Sequence, residues 1–233
     1  MENYYNYEEI RKIFKNPKVK TASVLSAGLA VFLFILWFVG LFGTPGNYRP
    51  VKFVFDGQVS QYLTNYILPE LYNKSQYDQP FDIVFSQQGI NDIIARQIDP
   101  NSLRQSNLSD LSVAFKRNRV LLTGKTTYHG FNFIVTIVLK PYINKKGYLF
   151  FRASKVQVGQ SRIPFAAEAV KRKILYGLAG LSNDADTVNF VGILFNSGQM
   201  EPVFSFNNRN LRIAKITVRK EKLTIQFKPE QDG

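Results

Sequence analysis

The sequence predicts an α+β protein: a single N-terminal transmembrane helix, then one extracytoplasmic domain in which a curved antiparallel meander sheet wraps an amphipathic helix. Three observations lead there. Thr21 to Gly43 is an uninterrupted uncharged run, long enough at about 1.5 Å per residue to cross a roughly 30 Å hydrocarbon core. Between Leu111 and Val158, apolar residues recur with strand periodicity, and short polar stretches separate the runs. Helical periodicity flanks that β region on both sides. The expected organisation is a cytoplasmic tail at 1–20, the membrane helix at 21–43, a linker at 44–55 and the domain at 56–233.

The apolar run reads as an anchor that stays in place. A secretory hydrophobic region is usually only about 7–15 residues long and ends in a small-x-small cleavage site. Here the far end is Gly40-Leu41-Phe42-Gly43-Thr44-Pro45, with bulky residues where small ones are needed. A core helix of a soluble domain would carry a polar stripe, and this run has none. Arg11, Lys12, Lys15, Lys18 and Lys20 precede it, whereas only Arg49 and Lys52 follow closely. The positive-inside rule therefore places the N-terminus in the cytoplasm and the C-terminal part outside.

Thr44-Pro45-Gly46 ends the membrane helix, and a short linker runs to Lys52. Val59, Leu63, Tyr66, Ile67 and Leu71 then follow helical spacing, with Pro69 placed to kink or shorten that helix. Phe81 to Phe85 alternates as a strand. Ser86 is positioned to cap a helix whose apolar face is Ile90, Ile93, Ile94 and Ile98, ending at Asp99-Pro100-Asn101. The meander follows: Leu111–Phe115, Val120–Tyr128, Phe131–Leu139 and Tyr148–Val158. A second amphipathic helix is expected from Phe165 to about Leu181, opened by Ile163-Pro164. Strands at Val191–Phe195, Val203–Phe206, Leu211–Val218 and Leu223–Phe227 close the chain.

Composition narrows the chemistry. The net charge is +13, and most of it lies after Gly43, because the first twenty residues hold five basic and three acidic residues. Such a domain favours anionic partners, which outside the cytoplasm means lipid headgroups or acidic surface polymers. Without cysteine there are no disulfides, thiol nucleophiles or cysteine-based metal sites. The one histidine, His129, stands beside Gly130 with no nucleophile motif near it, and neither H-E-x-x-H nor a phosphate-binding loop occurs. Asp184 and Asp186 share a polar loop and read as solvated. No enzyme, cofactor, metal site or nucleic-acid partner is expected.

Two features carry the functional expectation. In Phe131 to Leu139, Phe131 and Phe133 fall on one face, while Ile134 and Val138 make the other face apolar too; Phe150 and Phe151 likewise point opposite ways. Either helices cover both faces, or one face is an apolar groove that, with Phe165, Ile174 and Leu178 of the second helix, binds a ligand. The densest basic clusters are Lys116, Arg117 and Arg119 in a turn and Lys171, Arg172 and Lys173 on the second helix. Each is a candidate contact for anionic headgroups and equally a solvated surface.

The stretches FDIVFSQQGINDIIARQI, VAFKRNRVLLTGKTTYHGFNFIVTIVLKP and GYLFFRASKVQVGQSRIP, with Ile90-Asn91 in the helix and Val156 to Gly159 before Ile163-Pro164, resemble membrane-anchored envelope proteins of the YpmS-like and LmeA-like kind. Those have tubular lipid-binding folds in which a long curved sheet wraps a helix. The resemblance spans about residues 81–227. Gly89 departs from it, standing where a capping box would place an acid or amide. The resemblance implies lipid binding or envelope maintenance and supplies no catalytic residue. The alternative is a scaffold subunit of a secretion, conjugation or division complex, in contact with other envelope proteins through its membrane helix.

Overall fold

The computed structural model describes residues 17–230, apart from 55, 57, 106, 129 and 163–199. The chain forms two compact units, residues 1–41 and 42–233. In the first, helix α1 (Pro17–Leu41) contains one span, Thr21–Leu41, long and apolar enough to cross a membrane, with a mean hydropathy of 2.5. Its apolar side chains face outward all round; Val24 is 71% exposed and Phe34 61%. A helix with no buried face and no polar stripe suits hydrocarbon rather than water, as a membrane anchor or a signal peptide would.

The first helix of the second unit absorbs a proline. One π-type turn, Leu63–Ile67, leads into α2 (Leu68–Ser75), and the N–H of Leu68 reaches back to the carbonyl of Leu63. Pro69 has no N–H to donate, and its ring would crowd the carbonyl four residues earlier. Widening the preceding turn relieves that conflict without breaking the helix. The buried Ile67 and Leu71 lie against a four-stranded antiparallel sheet ordered β1-β9-β8-β7, made of β1 (Phe81–Ser86), β7 (Val203–Phe206), β8 (Arg209–Arg219) and β9 (Lys222–Pro229). Ile83 and Leu211 are fully buried in that core, flanked by Phe81, Phe204 and Phe227. The other sheet face carries Asp82, Lys215, Thr217, Arg219 and Gln226 around an open, polar depression. Alternating apolar and polar residues thus give this sheet one packed and one wet face.

Ser86 ends β1 and caps α3 (Gln87–Gln97), its hydroxyl accepting the N–H of Gly89 at 3.0 Å. Gly89 is glycine because Tyr62 lies against it: a Cβ there would sit 2.1 Å from the Tyr62 ring. The Tyr62 hydroxyl in turn accepts the N–H of Ser86 at 2.8 Å. The missing capping-box residue is therefore a consequence of this close approach. A short helix, α4 (Pro100–Gln105), follows where the sequence indicated only a stop.

The meander is a five-stranded sheet in the order β2-β3-β4-β5-β6: β2 (Leu108–Lys116), β3 (Arg119–Tyr128), β4 (Phe131–Ile143), β5 (Leu149–Val158) and β6 (Ser161–Arg162). Its outer strand β2 is sealed group by group. The carbonyl of Leu111 accepts the N–H of Val51 at 2.9 Å. The Asn91 side chain of α3 takes both the N–H and the carbonyl of Val113, each at 2.8 Å. The N–H of Phe115 donates to Gln87 Oε1 at 2.8 Å, and its carbonyl accepts the N–H of Glu221 at 3.2 Å. An exposed edge is a template for unwanted strand pairing, and here a helix and two backbone segments cover it. Beneath, Val113, Phe115, Val120 and Leu122 pack with Ile90 and Ile94 of α3 and with Val218 and Leu223 of the other sheet.

The strands therefore divide into two sheets rather than one meander, and the closing hairpin pairs with β1 across most of the domain's length. The expected helix from Phe165 to about Leu181, with the wrapping it would provide, and the strand at Val191–Phe195 lie outside the described residues.

Candidate functional site

The candidate apolar residues fall along β4 and β5. Val138 is buried at 5% exposure beside Ala114 and Leu121, on the face turned away from α3. On that same face the hydroxyls of Thr123 and Thr136 pair at 3.1 Å, both buried. Both faces of the central sheet are therefore removed from solvent, as Val135 and Ile137 show for the opposite one. Ile134, Phe133, Phe150 and Phe151 are half-buried, and Phe131 is exposed. The apolar rows thus run from a buried centre to aromatic ends. At one end Tyr142 stacks on Phe150, rings 5.2 Å apart and 10° from parallel, beside a small open depression bordered also by Phe151 and Arg152. Phe165, Ile174 and Leu178 lie outside the described residues, as do Lys171, Arg172, Lys173, His129, Asp184 and Asp186.

At the other end of β4, Phe131 and Phe133 meet Phe42, the first residue of this unit, with ring centroids 6.2 and 5.3 Å away. The chain from Phe42 onward is fastened to the domain instead of trailing from it. The Gln160 side chain donates to the carbonyl of Thr44 at 3.0 Å, and the Tyr48 hydroxyl donates to the carbonyl of Asp110 at 2.8 Å. Val51 pairs with Leu111 and Val54 with Ala95. An irregularity in β2 between Ser109 and Ser112 makes these contacts possible, with Asp110 in the left-handed region at φ 53°; a bulge of this kind re-aims the backbone groups of an edge strand. Burial, then the nearby Asp110 charge, pushes the Tyr48 hydroxyl up to about 12.

Lys116, Arg117 and Arg119 are exposed in the β2–β3 turn, at the far end of β3 from Tyr128. At about 3.3 Å per residue that separation is roughly 30 Å along the strand. The turn does not stand alone. Asn118 donates its N–H to the carbonyl of Val218 at 2.9 Å, and Glu221 donates to Phe115. These bonds bring the β8–β9 turn, with the exposed Arg219, Lys220 and Lys222, beside the first. Asn118 and Glu221, each the second central residue of a two-residue turn, take positive φ, 58° and 62°. The two turns thus bring six cations and one acid, Glu221, together. Sequence reading missed half of this cluster, because the run Val218-Arg219-Lys220-Glu221-Lys222 carries no mark of its neighbour across the sheets.

A shallow cleft of about 730 Å³ lies between residues 49–52, α3 and the β8–β9 turn. Arg49, Lys52, Asp92, Glu221 and Lys222 line it together with the amides of Gln87, Gln88 and Asn91 and the apolar Pro50, Val51 and Ala95, so it is amphipathic and of mixed charge. Among the described residues no group of three or more His, Asp or Glu gathers to hold a metal ion. Arg212 is held charged, its guanidinium raised above the ordinary value by hydrogen bonds to Glu230 and Glu201, which tie β8 to the residues just after β9 and just before β7. No family model matches the chain, and no curated protein matches it either.

Proposed function

We propose that this chain is a single-pass membrane protein, N-terminus in the cytoplasm, whose external domain binds a lipid-like apolar ligand close to the bilayer and catalyses no reaction. The observation that carries the reading is the five-stranded sheet: large apolar residues occur on both faces, and its rows open into half-buried apolar side chains at both ends, Phe133 and Ile134 at one and Phe150 and Phe151 at the other. Lipid chains offer no hydrogen bonds, so a binding surface for them needs large apolar side chains and little else. Lys116, Arg117 and Arg119, with the three cations of the neighbouring β8–β9 turn, offer a contact for the anionic headgroup of a bound lipid, at the end of β3 away from Phe42.

The test is native mass spectrometry of the full chain released from mild detergent, with solvent extraction and lipid analysis of the same sample. The reading expects one retained phospholipid or polyprenyl species per chain, lost in Ile134→Asp and Phe151→Asp variants that still fold. A bare mass with no uptake of added lipid counts against it.

A second reading, a scaffold subunit in an envelope complex, draws on a different surface. Val59, Tyr66, Tyr72 and Tyr77 around α2 are each at least half exposed, and exposed tyrosines are favoured at protein interfaces. Stoichiometric co-purification of other envelope proteins, without lipid, would select it.

A further inference from the structure

From the end of β4 nearest Phe42 we infer that the β3–β4 hairpin tip is a second membrane contact, an aromatic wedge seated in the headgroup layer of the bilayer that α1 crosses. The inference rests on reading Thr21–Leu41 as a membrane anchor and is independent of whether the domain carries a lipid ligand.

Tyr128 and Phe131 face each other across the hairpin and are 57% and 59% exposed; Phe42 is 45% exposed. Gly130, at φ 81°, makes the turn between them. Three large aromatic rings on one tip are costly in water, and the single polar group among them, the Tyr128 hydroxyl, suits the water–lipid boundary. Chain continuity names the occupant. Leu41 is the last helical residue, and Phe42 follows it within one Cα–Cα step of about 3.8 Å. The Phe42 ring touches Phe131 and Phe133. Whatever packs on Phe42 therefore lies within about 10 Å of the end of the apolar span, and the headgroup layer on each side of a bilayer is roughly 5–8 Å thick. Tyrosine and phenylalanine are the side chains that settle at that depth. The bonds from Gln160 to Thr44 and from Tyr48 to Asp110 fasten the segment after Phe42 to the same unit as the tip.

Trp37 is the single tryptophan of the chain, which makes the test direct. The full chain is placed in phosphatidylcholine nanodiscs with or without bromine on the acyl chains, which quenches tryptophan by contact. Wild-type Trp37 reports on the anchor. Phe131→Trp in a Trp37→Phe background reports on the tip, and Lys146→Trp in the same background reports on the exposed β4–β5 turn at the opposite end of the sheet. The expected result is blue-shifted emission from position 131 and a clear loss on brominated lipid, larger than the loss at 146. Tyr128→Trp should behave as position 131 does, which guards against a local packing fault. Quenching at 131 and 128 no greater than at 146, with Trp37 quenched, overturns the wedge and leaves the anchor standing. An unquenched Trp37 removes the anchor and the wedge together. Neither result bears on the lipid analysis of the purified chain, so that reading fails or stands separately.

Discussion

Replacing Asn91 by leucine should cost far more than its half-exposed position on α3 suggests. The amide donates to the carbonyl of Val113 and accepts its N–H, both at 2.8 Å, and its Nδ2 also reaches the carbonyl of Gln87 at 2.9 Å. Val113 is only 8% exposed, so water cannot easily take the vacated groups. Leaving a buried backbone donor or acceptor unpaired costs about 1–3 kcal/mol each, which puts the substitution near ~3 kcal/mol. For a domain of this size that is a fall in Tm of roughly 6–12 °C. Asn91→Asp keeps an acceptor for the Val113 N–H and loses the donor, so it should fall between wild type and leucine. Gln87→Leu removes one bond, to the Phe115 N–H, and should cost about half as much. The assay is thermal unfolding of the full chain in mild detergent, read by aromatic circular dichroism, with amide exchange at Val113 as the local probe. If Asn91→Leu unfolds within about 0.5 kcal/mol of wild type, or costs no more than Gln87→Leu, the edge-sealing argument is wrong.

Gly89→Ala should destabilise by about 1–3 kcal/mol, because the new methyl meets the Tyr62 ring at 2.1 Å; melting the Tyr62→Leu/Gly89→Ala double variant beside both single ones should show strong coupling, since the larger variant side chain is lost as the smaller is added. Alkaline titration gives an independent check on the linker. Tyr48 is raised from 10.0 to about 12 in the folded chain, so the folded state holds its proton where the unfolded state has released it. Its contribution is complete below pH 10 and is lost as pH rises from 10 to about 12. The full rise from 10.0 to about 12 is worth about 2.7 kcal/mol, and solvent screening at this half-buried ring reduces it to on the order of 1–2 kcal/mol. Equilibrium unfolding across this window should fall more steeply for wild type than for Tyr48→Phe, and equal slopes would show that Tyr48 is solvated.

Much of the fold can be read locally. The Ser86 cap, the α3 face of Ile90 and Ile94, and the strands around Phe131–Leu139 are signalled by residues within a few positions of one another, and the structure places them there. What escaped is non-local or depends on a neighbour. Pairing of β1 with β9 joins Phe81 to Phe227, and no periodicity announces it. The two-residue strand β6 exists only through its partner β5. Gly89 looks like a defective capping box until Tyr62 is seen against it. Asn91, on the apolar side of a helix, gives no hint that its amide substitutes for a strand. For the candidate site, the alternation of Phe131–Leu139 correctly separated Val138 from Phe131 and Phe133. It could not say that Val138 is buried while Phe131 is exposed, because the burial of a β position depends on what the rest of the chain lays over it. Pro69 did carry a usable signal, and the outcome was a single π-type turn.

The anchor and its orientation support every functional statement made above, and the absence of cysteine makes them easy to test. Single-cysteine variants Lys12→Cys and Lys146→Cys, expressed as full chains in cells, are treated with a membrane-impermeant maleimide before and after permeabilisation. The account predicts that Lys146→Cys, on the exposed β4–β5 turn, is labelled in intact cells, that Lys12→Cys is labelled only after permeabilisation, and that both stay with the membrane fraction in alkaline carbonate. Labelling of Lys12→Cys in intact cells with Lys146→Cys protected would invert the topology. A chain cleaved after Gly43 and released from the membrane would contradict the account outright.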